Sequence, residues 1–219
     1  MLTINELCFS YNNSLPYLID NLNLHIDKGS YVSIIGKNGS AKSTLIKLIL
    51  GFLKPKCGKI LINTDKIGYV PQRMEGYNPQ FPITVEEMLE CHRKVLKLKN
   101  KNLITSNLEK INMIQYKSSL IGNLSGGQMQ KVFIARAIMG NPELLILDEP
   151  STGIDVKSQK EIYTIIKQLN KNLGVTVISV EHNLEAALSN STHIFKMDDG
   201  KGALYTTSEF SKYFNINLL

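Results

Sequence analysis

Hydrophobic and polar residues alternate at the start of the chain, and short apolar runs follow further on. The alternation predicts strands over the first 35 residues, beginning with Leu2, Ile4 and Leu7 and continuing through 21–26 and 31–35. Further strands are predicted at 59–62, 67–70, 144–147 and 175–180, with a weaker pair at 192–197 and 203–205.

Helical periodicity appears between these strands, and two of the predicted helices begin with a capping box. In Thr84 with Glu87, and in Ser125 with Gln128, each side chain can satisfy a free backbone N–H of the first turn. The predicted helices cover 42–50, 84–95, 103–115, 125–139, 155–171 and 183–190, with a short helix near the C-terminal end.

Apolar strands that alternate with helices predict an α/β fold with a mainly parallel core sheet and an N-terminal antiparallel β part. A mainly helical block at 79–140 interrupts the pattern and is expected to form an inserted sub-domain. The whole chain is then one domain, in which 1–78 and 141–219 form the core. A segment rich in Pro, Gly and Asn at 73–83 predicts a loop without regular structure.

The composition is that of an ordinary globular protein, with 43% hydrophobic and 20% charged residues. This excludes disordered, collagen-like and coiled-coil classes. The net charge is +6, but only Arg73, Arg93 and Arg136 are arginines, and the lysines are scattered. Specific readers of nucleic acid depend on arginine. We therefore interpret the lysines as solvated surface and expect no nucleic acid partner.

The cysteines Cys8, Cys57 and Cys91 are odd in number and show no CxxC spacing. This predicts no disulfide and favours a reducing cytoplasm. The four histidines show no metal-ligand spacing. The N-terminus does not resemble a signal peptide, and no apolar run approaches the ~20 residues that span a bilayer. We therefore expect the chain not to cross a membrane.

The strongest chemical signal is a Gly-rich loop between the strand at 31–35 and the following helix. Backbone N–H groups in such a loop, and the N-terminus of the helix, can bind phosphates. Lys42 can reach the terminal phosphates and Ser43 can ligate Mg²⁺. The candidate phosphate-binding residues are Gly36, Asn38, Gly39, Ser40, Ala41, Lys42, Ser43 and Thr44.

One position departs from the phosphate-loop pattern, which has glycine where this chain has Ala41. We expect the helix to begin at or just before Ala41, with a helical φ that tolerates a Cβ atom. Considered alone, the near-match leaves open a Gly-rich turn that binds no nucleotide.

Two carboxylates, Asp148 and Glu149, follow the apolar strand 144–147. Ligands of open α/β sheets bind at this strand end. Asp148 is a candidate Mg²⁺ ligand, and Glu149 is a candidate for polarising an attacking water. The alternative is that these acidic residues only terminate the strand.

A third motif, Leu-Ser-Gly-Gly-Gln, ends at Gln128 and opens a predicted helix. The adjacent Gly126 and Gly127 let the backbone approach an anion, and Ser125 can cap the helix and donate to phosphate. A plain Gly turn at a helix start is the alternative. A phosphate-loop kinase or GTPase would not explain this motif.

With these three motifs in this order, the chain resembles the ATP-binding cassette family over essentially its whole length. The similarity is to the nucleotide-binding subunit of a transporter. It implies a P-loop NTPase fold with a RecA-like core. It also implies ATP as the nucleotide, Mg²⁺ as the cofactor and ATPase activity coupled to transport.

The resemblance also implies roles for four further residues. Tyr11 matches the aromatic residue that stacks on adenine, and Gln72 matches the glutamine that contacts Mg²⁺ and the attacking water. The segment 151–155 matches the loop after the acidic strand, and Asp155 is also placed to cap the next helix. His182 matches the histidine that contacts the γ-phosphate, although its flanking residues depart from the common Thr-His-Asp. A hairpin tyrosine and an ordinary loop glutamine remain alternatives for the first two.

The partners implied by the resemblance begin with a second copy of the chain. In this family Ser125, Gly126, Gly127 and Gln128 of one copy close on the ATP held by the other in a head-to-tail dimer. The dimer is implied to lie peripherally on the cytoplasmic face of the membrane. It contacts permease subunits, and an extracellular solute-binding protein is expected in the same system.

The candidate permease contact is the loop at 73–90, where Met74, Tyr77 and Phe81 suit a docking surface. Packing of these side chains within the helical block is the alternative.

The cargo is indicated only by local similarity. Segments 70–73 and 81–85 resemble zinc and manganese importer cassettes. The short chain, with 37 residues after His182 (219 minus 182), is expected to be an importer subunit without a regulatory domain. Two alternatives remain: a cassette for another small molecule, imported or exported, and a cassette acting on ribosomes or DNA. The latter is disfavoured because it would need two cassettes or long coiled-coil arms.

Overall fold

The computed structural model describes residues 1–12, 14–72 and 81–215. Its strands are β1 Leu2–Phe9, β2 Ile19–Ile26, β3 Tyr31–Ile35, β4 Cys57–Ile62, β5 Ile67–Val70, β6 Leu144–Asp148, β7 Thr176–Val180, β8 His193–Asp198 and β9 Lys201–Thr206. Its helices are α1 Lys42–Ile49, α2 Val85–Val95, α3 Asn102–Lys110, α4 Gly126–Ile138, α5 Val156–Leu173, α6 Leu184–Asn190 and α7 Thr207–Tyr213.

The strands form two sheets, which confirms the predicted fold class. A three-stranded antiparallel sheet has the order β2-β1-β4, and a six-stranded sheet has the order β5-β6-β7-β3-β8-β9. In the six-stranded sheet β5, β6, β7, β3 and β8 are parallel, and β9 pairs antiparallel with β8. The two runs at 59–62 and 67–70 therefore belong to different sheets, although they are neighbours in sequence.

The predicted helices are present, with one clear difference at α3. The expected helix to residue 115 ends at Lys110, and a short 3-10 turn follows at Ile114–Tyr116. Between them Asn112 has φ 55°, a left-handed conformation that cannot continue a right-handed helix. Most of the predicted loop at 73–83 lies outside the described residues.

The six-stranded sheet is covered on both faces, and strand β6 shows how. Leu145 and Leu147 join a hydrophobic cluster that includes residues of α2, α3, α4 and α5. Leu144 and Ile146, which point to the opposite face, join a second cluster with α1 and the antiparallel sheet. Because one cluster runs from the helical block to the sheet, the boundaries at 78/79 and 140/141 stay a prediction.

Cys8 and Cys57 form a disulfide between β1 and β4, with their Cα atoms 5.0 Å apart. The expectation that the cysteines form no disulfide is therefore wrong. The two residues are 49 positions apart and meet only because β4 returns to pair with β1. Cys91 is exposed and carries the free thiol. Cysteine spacing thus gives no argument about the compartment.

Among residues 1–12, 14–72 and 81–215, no helix combines the length and the apolar character that a bilayer-spanning segment requires.

Candidate active site

A cleft of about 770 Å³ opens at the carboxyl ends of β3, β6 and β7. It brings together nine of the residues that the sequence predicted for nucleotide binding and hydrolysis. Its lining residues are Leu18, Asn38, Gly39, Ala41, Lys42, Ser43, Thr44, Gln72, Glu149, Thr152 and His182. Parallel strands end together at this edge, which explains why loops distant in sequence converge there.

The loop between β3 and α1 has two residues with left-handed backbone in its second half. Gly39 has φ 84°, which glycine adopts without a Cβ penalty. Ala41 has φ 69° and ψ 20° and is the residue immediately before the first helical residue. The expectation of a helical φ at Ala41 is therefore wrong. Because α1 begins one residue later, at Lys42, Ala41 takes the left-handed turn into the helix and bears its steric cost.

The ammonium group of Lys42 lies inside the phosphate loop. Its Nζ donates to the carbonyl oxygens of Gly36 at 2.8 Å and Lys37 at 2.9 Å. An ammonium has three N–H donors, so one remains for a ligand in the cleft. Burial lowers the pKa of Lys42, while the nearby charges of Glu149 and Asp148 act to raise it. The arrangement presents a positive charge at the base of the loop.

Asp148, the last residue of β6, offers an oxygen atom that no described residue satisfies. Its side chain is buried, and Oδ1 makes no hydrogen bond within the described parts of the chain. Burial raises the pKa of Asp148, and the charge of Glu149 raises it further. A buried, unpaired carboxylate oxygen near the hydroxyl-bearing phosphate loop fits a magnesium ion, which prefers oxygen ligands.

Both carboxylate oxygens of Glu149 are held by neighbouring side chains, Thr152 from the same loop and Gln72 and His182 from other loops. Oε2 accepts hydrogen bonds from Gln72 Nε2 and from Thr152 Oγ1, the latter at 3.0 Å. Oε1 pairs with His182 Nε2. The backbone of Glu149 is left-handed, with φ 52°, a conformation that is costly for a residue with a Cβ atom. Glu149 is thus fixed by its neighbours at the centre of the cleft.

Two further residues, Tyr11 and Leu18, lie at the cleft. The Tyr11 hydroxyl lies 3.2 Å from Thr44 Oγ1, at the start of α1, and 59% of Tyr11 is exposed. The ring therefore has a free surface beside the cleft. Leu18 lines the cleft, and sequence reasoning missed it because a single Leu between two strands carries no motif.

Thr152 was also missed, although its hydroxyl donates to Glu149. Its place three residues after Glu149, in a tight turn, was the signal that could have identified it.

The Leu-Ser-Gly-Gly-Gln motif lies away from this cleft. The predicted capping box is present: Gln128 N donates to Ser125 Oγ at 3.3 Å, and Ser125 N donates to Gln128 Oε1 at 2.9 Å. A Cβ atom at Gly127 would lie 2.5 Å from the Ser158 side chain in α5, whereas one at Gly126 would lie 4.0 Å from its nearest neighbour, the Gly153 carbonyl oxygen. None of these residues is among the described residues that line the cleft.

Asp155 caps α5, as predicted, and likewise lies outside the cleft. Its Oδ1 accepts a hydrogen bond from Ser158 N at 3.0 Å, and hydrogen bonds from the Ser158 backbone lower the pKa of Asp155. The next residue, Val156, leaves 68% of its surface exposed. An exposed apolar residue beside the signature helix is available to a partner.

The proposed docking loop is only partly visible. Met74 and Tyr77 lie outside the described residues. Phe81 is 61% exposed, so it does not pack within the helical block.

Comparison with known proteins agrees with this geometry. A family model described as ABC transporter matches residues 19–152, which is more than half of the chain. The chain is 44% identical over 211 residues to a protein of Treponema pallidum (strain Nichols) named "Probable metal transport system ATP-binding protein", covering 96% of this chain and 88% of that protein.

Two further similarities extend the comparison. The "High-affinity zinc uptake system ATP-binding protein ZnuC" of Bacillus subtilis (strain 168) is 36% identical over 215 residues, covering 92% of each chain. The dimeric post-hydrolysis structure of the ATP-binding cassette MJ0796, bound to ADP and Pi, superposes with a TM-score of 0.81 at 27% identity, covering 94% of this chain and 99% of that one. With the phosphate loop, the acidic strand end and the signature helix in place, these matches show that the chain belongs to the ABC transporter family.

Proposed function

We propose that this chain is the ATP-binding and hydrolysing subunit of a membrane importer of divalent metal ions, with zinc favoured over manganese. The observation that carries the ATPase function is the convergence of Lys42, Gln72, Glu149 and His182 in one cleft. The cargo rests on a different basis, the names of the zinc and metal transport relatives.

The phosphate loop binds the nucleotide in this proposal. Lys42 places its remaining N–H toward the terminal phosphates, and the N-terminus of α1 adds the positive end of its dipole. The loop N–H groups of 36–44 surround the phosphates, while the exposed ring of Tyr11 stacks on the adenine. Stacking recognises a flat base without demanding specific hydrogen bonds.

Asp148, Ser43 and Gln72 would hold Mg²⁺. The unsatisfied Oδ1 of buried Asp148 supports this assignment, because a buried carboxylate oxygen without a partner is costly. When bound, the ion would neutralise part of the phosphate charge. The Nε2 atom of Gln72 donates to Glu149, so its amide oxygen remains as the atom for metal contact.

Glu149 polarises the attacking water in the proposed reaction. Gln72, Thr152 and His182 hold both of its oxygens. Because the carboxylate is already oriented, it loses less conformational entropy when it acts as a general base in the transition state. His182 also contacts the γ-phosphate when ATP is present. The carboxylate must then exchange some of these contacts for the water.

A second copy completes each site in this proposal. Ser125, Gly126, Gly127 and Gln128 lie away from their own cleft, and they close on the ATP bound by the partner in a head-to-tail dimer. Asp155 takes part at the same interface. The dimeric structure of a similar cassette supports this arrangement.

The permease contact is proposed for the segment at 73–90, and exposed Phe81 supports it. The helical block at 79–140 would then transmit ATP-driven closure from the signature helix to the membrane subunits. The chain would lie at the cytoplasmic face of the membrane. An extracellular solute-binding protein would deliver the metal.

The cassette itself is not proposed to bind the transported metal. Among residues 1–12, 14–72 and 81–215, no group of three or more His, Cys, Asp or Glu side chains has a metal-binding arrangement. Selectivity would then lie in the permease and the solute-binding protein. Zinc added to the purified chain is expected to bind weakly.

The cargo is tested by deleting the gene and measuring growth and metal uptake in chelator-treated medium. The expected result is slow growth that added zinc or manganese restores and that other nutrients do not. Complementation with the Glu149→Gln gene is the matched control, and it should fail. Normal metal uptake with loss of another solute would refute the metal cargo and leave the ATPase function intact.

A further inference from the structure

The end of β7 carries a second glutamate that the proposed mechanism does not use. Glu181 immediately precedes His182 and is 2% exposed. The other face of this strand end is occupied by the cleft, so Glu181 lies directly behind the proposed catalytic residues. A buried carboxylate is costly unless it is hydrogen-bonded, so its partners indicate why it is there.

The partners of Glu181 form a chain of hydroxyl groups that leads back to the cleft. Ser179 Oγ donates to Oε1, and the Tyr163 hydroxyl of α5 donates to Oε2 at 2.7 Å. The same Tyr163 oxygen lies 2.8 Å from Ser151 Oγ. Ser151 is followed by Thr152, whose hydroxyl donates to Glu149. The chain therefore joins the loop after β7 to the loop after β6.

We propose that Glu181 is a positioning residue for ATP hydrolysis, which acts through Tyr163 and Ser151 on the loop that orients Glu149. This inference rests on the proposed ATPase function. Glu181 is not among the described residues that line the cleft, and in this proposal it acts on the reaction through the geometry of Thr152 and Glu149.

The direction of the hydrogen bonds depends on the proton of Glu181. When the carboxylate is ionised it can only accept, so Tyr163 donates to Glu181 and accepts from Ser151. When Oε2 is protonated, Glu181 donates to Tyr163 and Tyr163 donates to Ser151. The Ser151 hydroxyl then accepts the hydrogen bond from Tyr163, and its own hydrogen is free to turn to another acceptor. Protonation of the buried carboxyl group therefore changes the hydrogen bonding of Ser151, in the loop that contains Glu149.

The charged and titratable groups around Glu181 are consistent with this role. Burial raises the pKa of Glu181 to about 7, the hydrogen bonds from Ser179 and Tyr163 lower it, His182 lowers it and Glu149 raises it. From the other neighbouring elements, Tyr31 of β3 and Tyr163 of α5 face the carboxylate, and burial raises the pKa of both phenols. Both phenols therefore remain neutral hydrogen-bonding groups at neutral pH.

The test uses the full chain and compares steady-state ATPase in Glu181→Gln, Tyr163→Phe and Ser151→Ala. We expect kcat to fall about fivefold in Tyr163→Phe and in Ser151→Ala, with KM for ATP within about twofold of wild type. The double variant should lose no more than either single variant, because both remove the same connection. Ser151 lies outside the hydrophobic core, so Ser151→Ala tests the connection even if Tyr163→Phe, a substitution in the core, impairs folding.

The pH dependence separates positioning from simple structural support. The ratio of wild-type kcat to Glu181→Gln kcat should change between about pH 6 and pH 8, while each protein remains folded by circular dichroism. Thr164→Val is the matched control, since its hydroxyl lies on the same helix and, among the described residues, hydrogen-bonds only to the Lys160 carbonyl oxygen. Its kcat should equal that of wild type at every pH.

Two outcomes would overturn the inference. One is a wild-type pH profile in Glu181→Gln together with unchanged kcat in Tyr163→Phe and Ser151→Ala. The other is additive losses in the double variant. If the wild-type chain itself hydrolyses no more ATP than Glu149→Gln, the proposed function fails instead, and the two failures are therefore distinguishable.

Discussion

The phosphate-loop cleft and the signature helix are built in different ways within the same chain. The cleft is lined by residues from five separate loops, and one residue at its centre, Glu149, is held by Gln72, Thr152 and His182. The signature segment is local: a capping box fixes its start, and Gly127 packs against α5. The cleft is assembled from residues that are distant in sequence, whereas the signature segment is formed by residues close together in sequence.

This difference separates nucleotide binding, which a single chain can perform, from the contacts that require a second chain. The cleft contains the groups proposed to bind phosphate and to polarise water, so nucleotide binding is expected from one chain. The signature residues do not line that cleft, and in the proposed dimer they meet the nucleotide of a second chain. Binding and hydrolysis should therefore respond separately to substitutions in the two regions.

The largest expected effect is in the cleft, at Glu149. Glu149→Gln should retain ATP binding and lower kcat by about 10²-fold to 10⁴-fold, because a general base is removed while the shape is kept. ATP should then hold two chains together, which size-exclusion chromatography with and without ATP would reveal. Hydrolysis at the wild-type rate would contradict the assignment.

Lys42→Ala is the contrasting variant in the same cleft. It removes a phosphate-contacting charge, so nucleotide binding itself should weaken, as measured by isothermal titration calorimetry. Equal ATP affinity in Lys42→Ala and Glu149→Gln would mean that the two residues do not divide the roles as proposed.

The next effect concerns the buried support behind the cleft. Because burial raises the pKa of Glu181 from 4.5 to about 7, the folded protein binds this proton more tightly than the unfolded chain. Relative to Glu181→Gln, the free energy of unfolding should therefore fall as pH rises from 4.5 to about 7 and then level off. The total change should not exceed about 3 kcal/mol.

Urea unfolding of both proteins across this pH range measures the difference. The signature region, which has no comparable buried carboxylate among the described residues, should contribute no such slope. Parallel curves for wild type and Glu181→Gln would exclude the raised pKa.

The signature helix should respond through packing. Gly127→Ala brings a methyl group against Ser158 and should lower the free energy of unfolding by about 1–3 kcal/mol. In Gly126→Ala the new methyl group makes only an ordinary van der Waals contact, with the Gly153 carbonyl oxygen at 4.0 Å, so the free energy of unfolding should change by less than about 0.5 kcal/mol. ATP binding by the single chain should be the same in both variants.

Ser158→Gly in the Gly127→Ala background provides the rescue test, measured by the same urea unfolding. It removes the two Ser158 atoms that would lie 2.5 Å from the new methyl group, while the contact with Ile154 at 3.2 Å remains, so only part of the lost stability should return. No recovery would mean that Gly127 is required for a reason other than this contact.

The smallest expected effect is at Ala41, in the phosphate loop. Its φ of 69° costs about 1–2 kcal/mol for a residue with a Cβ atom, and part of that cost is offset by the greater freedom of glycine in the unfolded chain. Ala41→Gly should therefore raise the free energy of unfolding by less than about 1 kcal/mol. Differential scanning calorimetry measures the change, and a loss of stability would show that the left-handed backbone is not strained.

Local sequence patterns determined much of this molecule. Capping boxes at Thr84 and Ser125 start α2 and α4 where predicted, because a cap depends on residues within one helical turn. The phosphate loop and the acidic strand end were recognised for the same reason. Each motif is contiguous, so its chemistry can be read without knowledge of its neighbours.

Contacts between residues far apart in sequence became evident only from the tertiary structure. It paired Cys8 with Cys57 and placed β4 and β5 in different sheets, since strand partners lie far apart in sequence. It also brought Thr152 and the hydroxyl chain of Glu181 behind Glu149. The left-handed backbone of Ala41 was likewise not predicted. Its conformation depends on how the loop runs from β3 into α1, and the preference of alanine for negative φ does not determine that path.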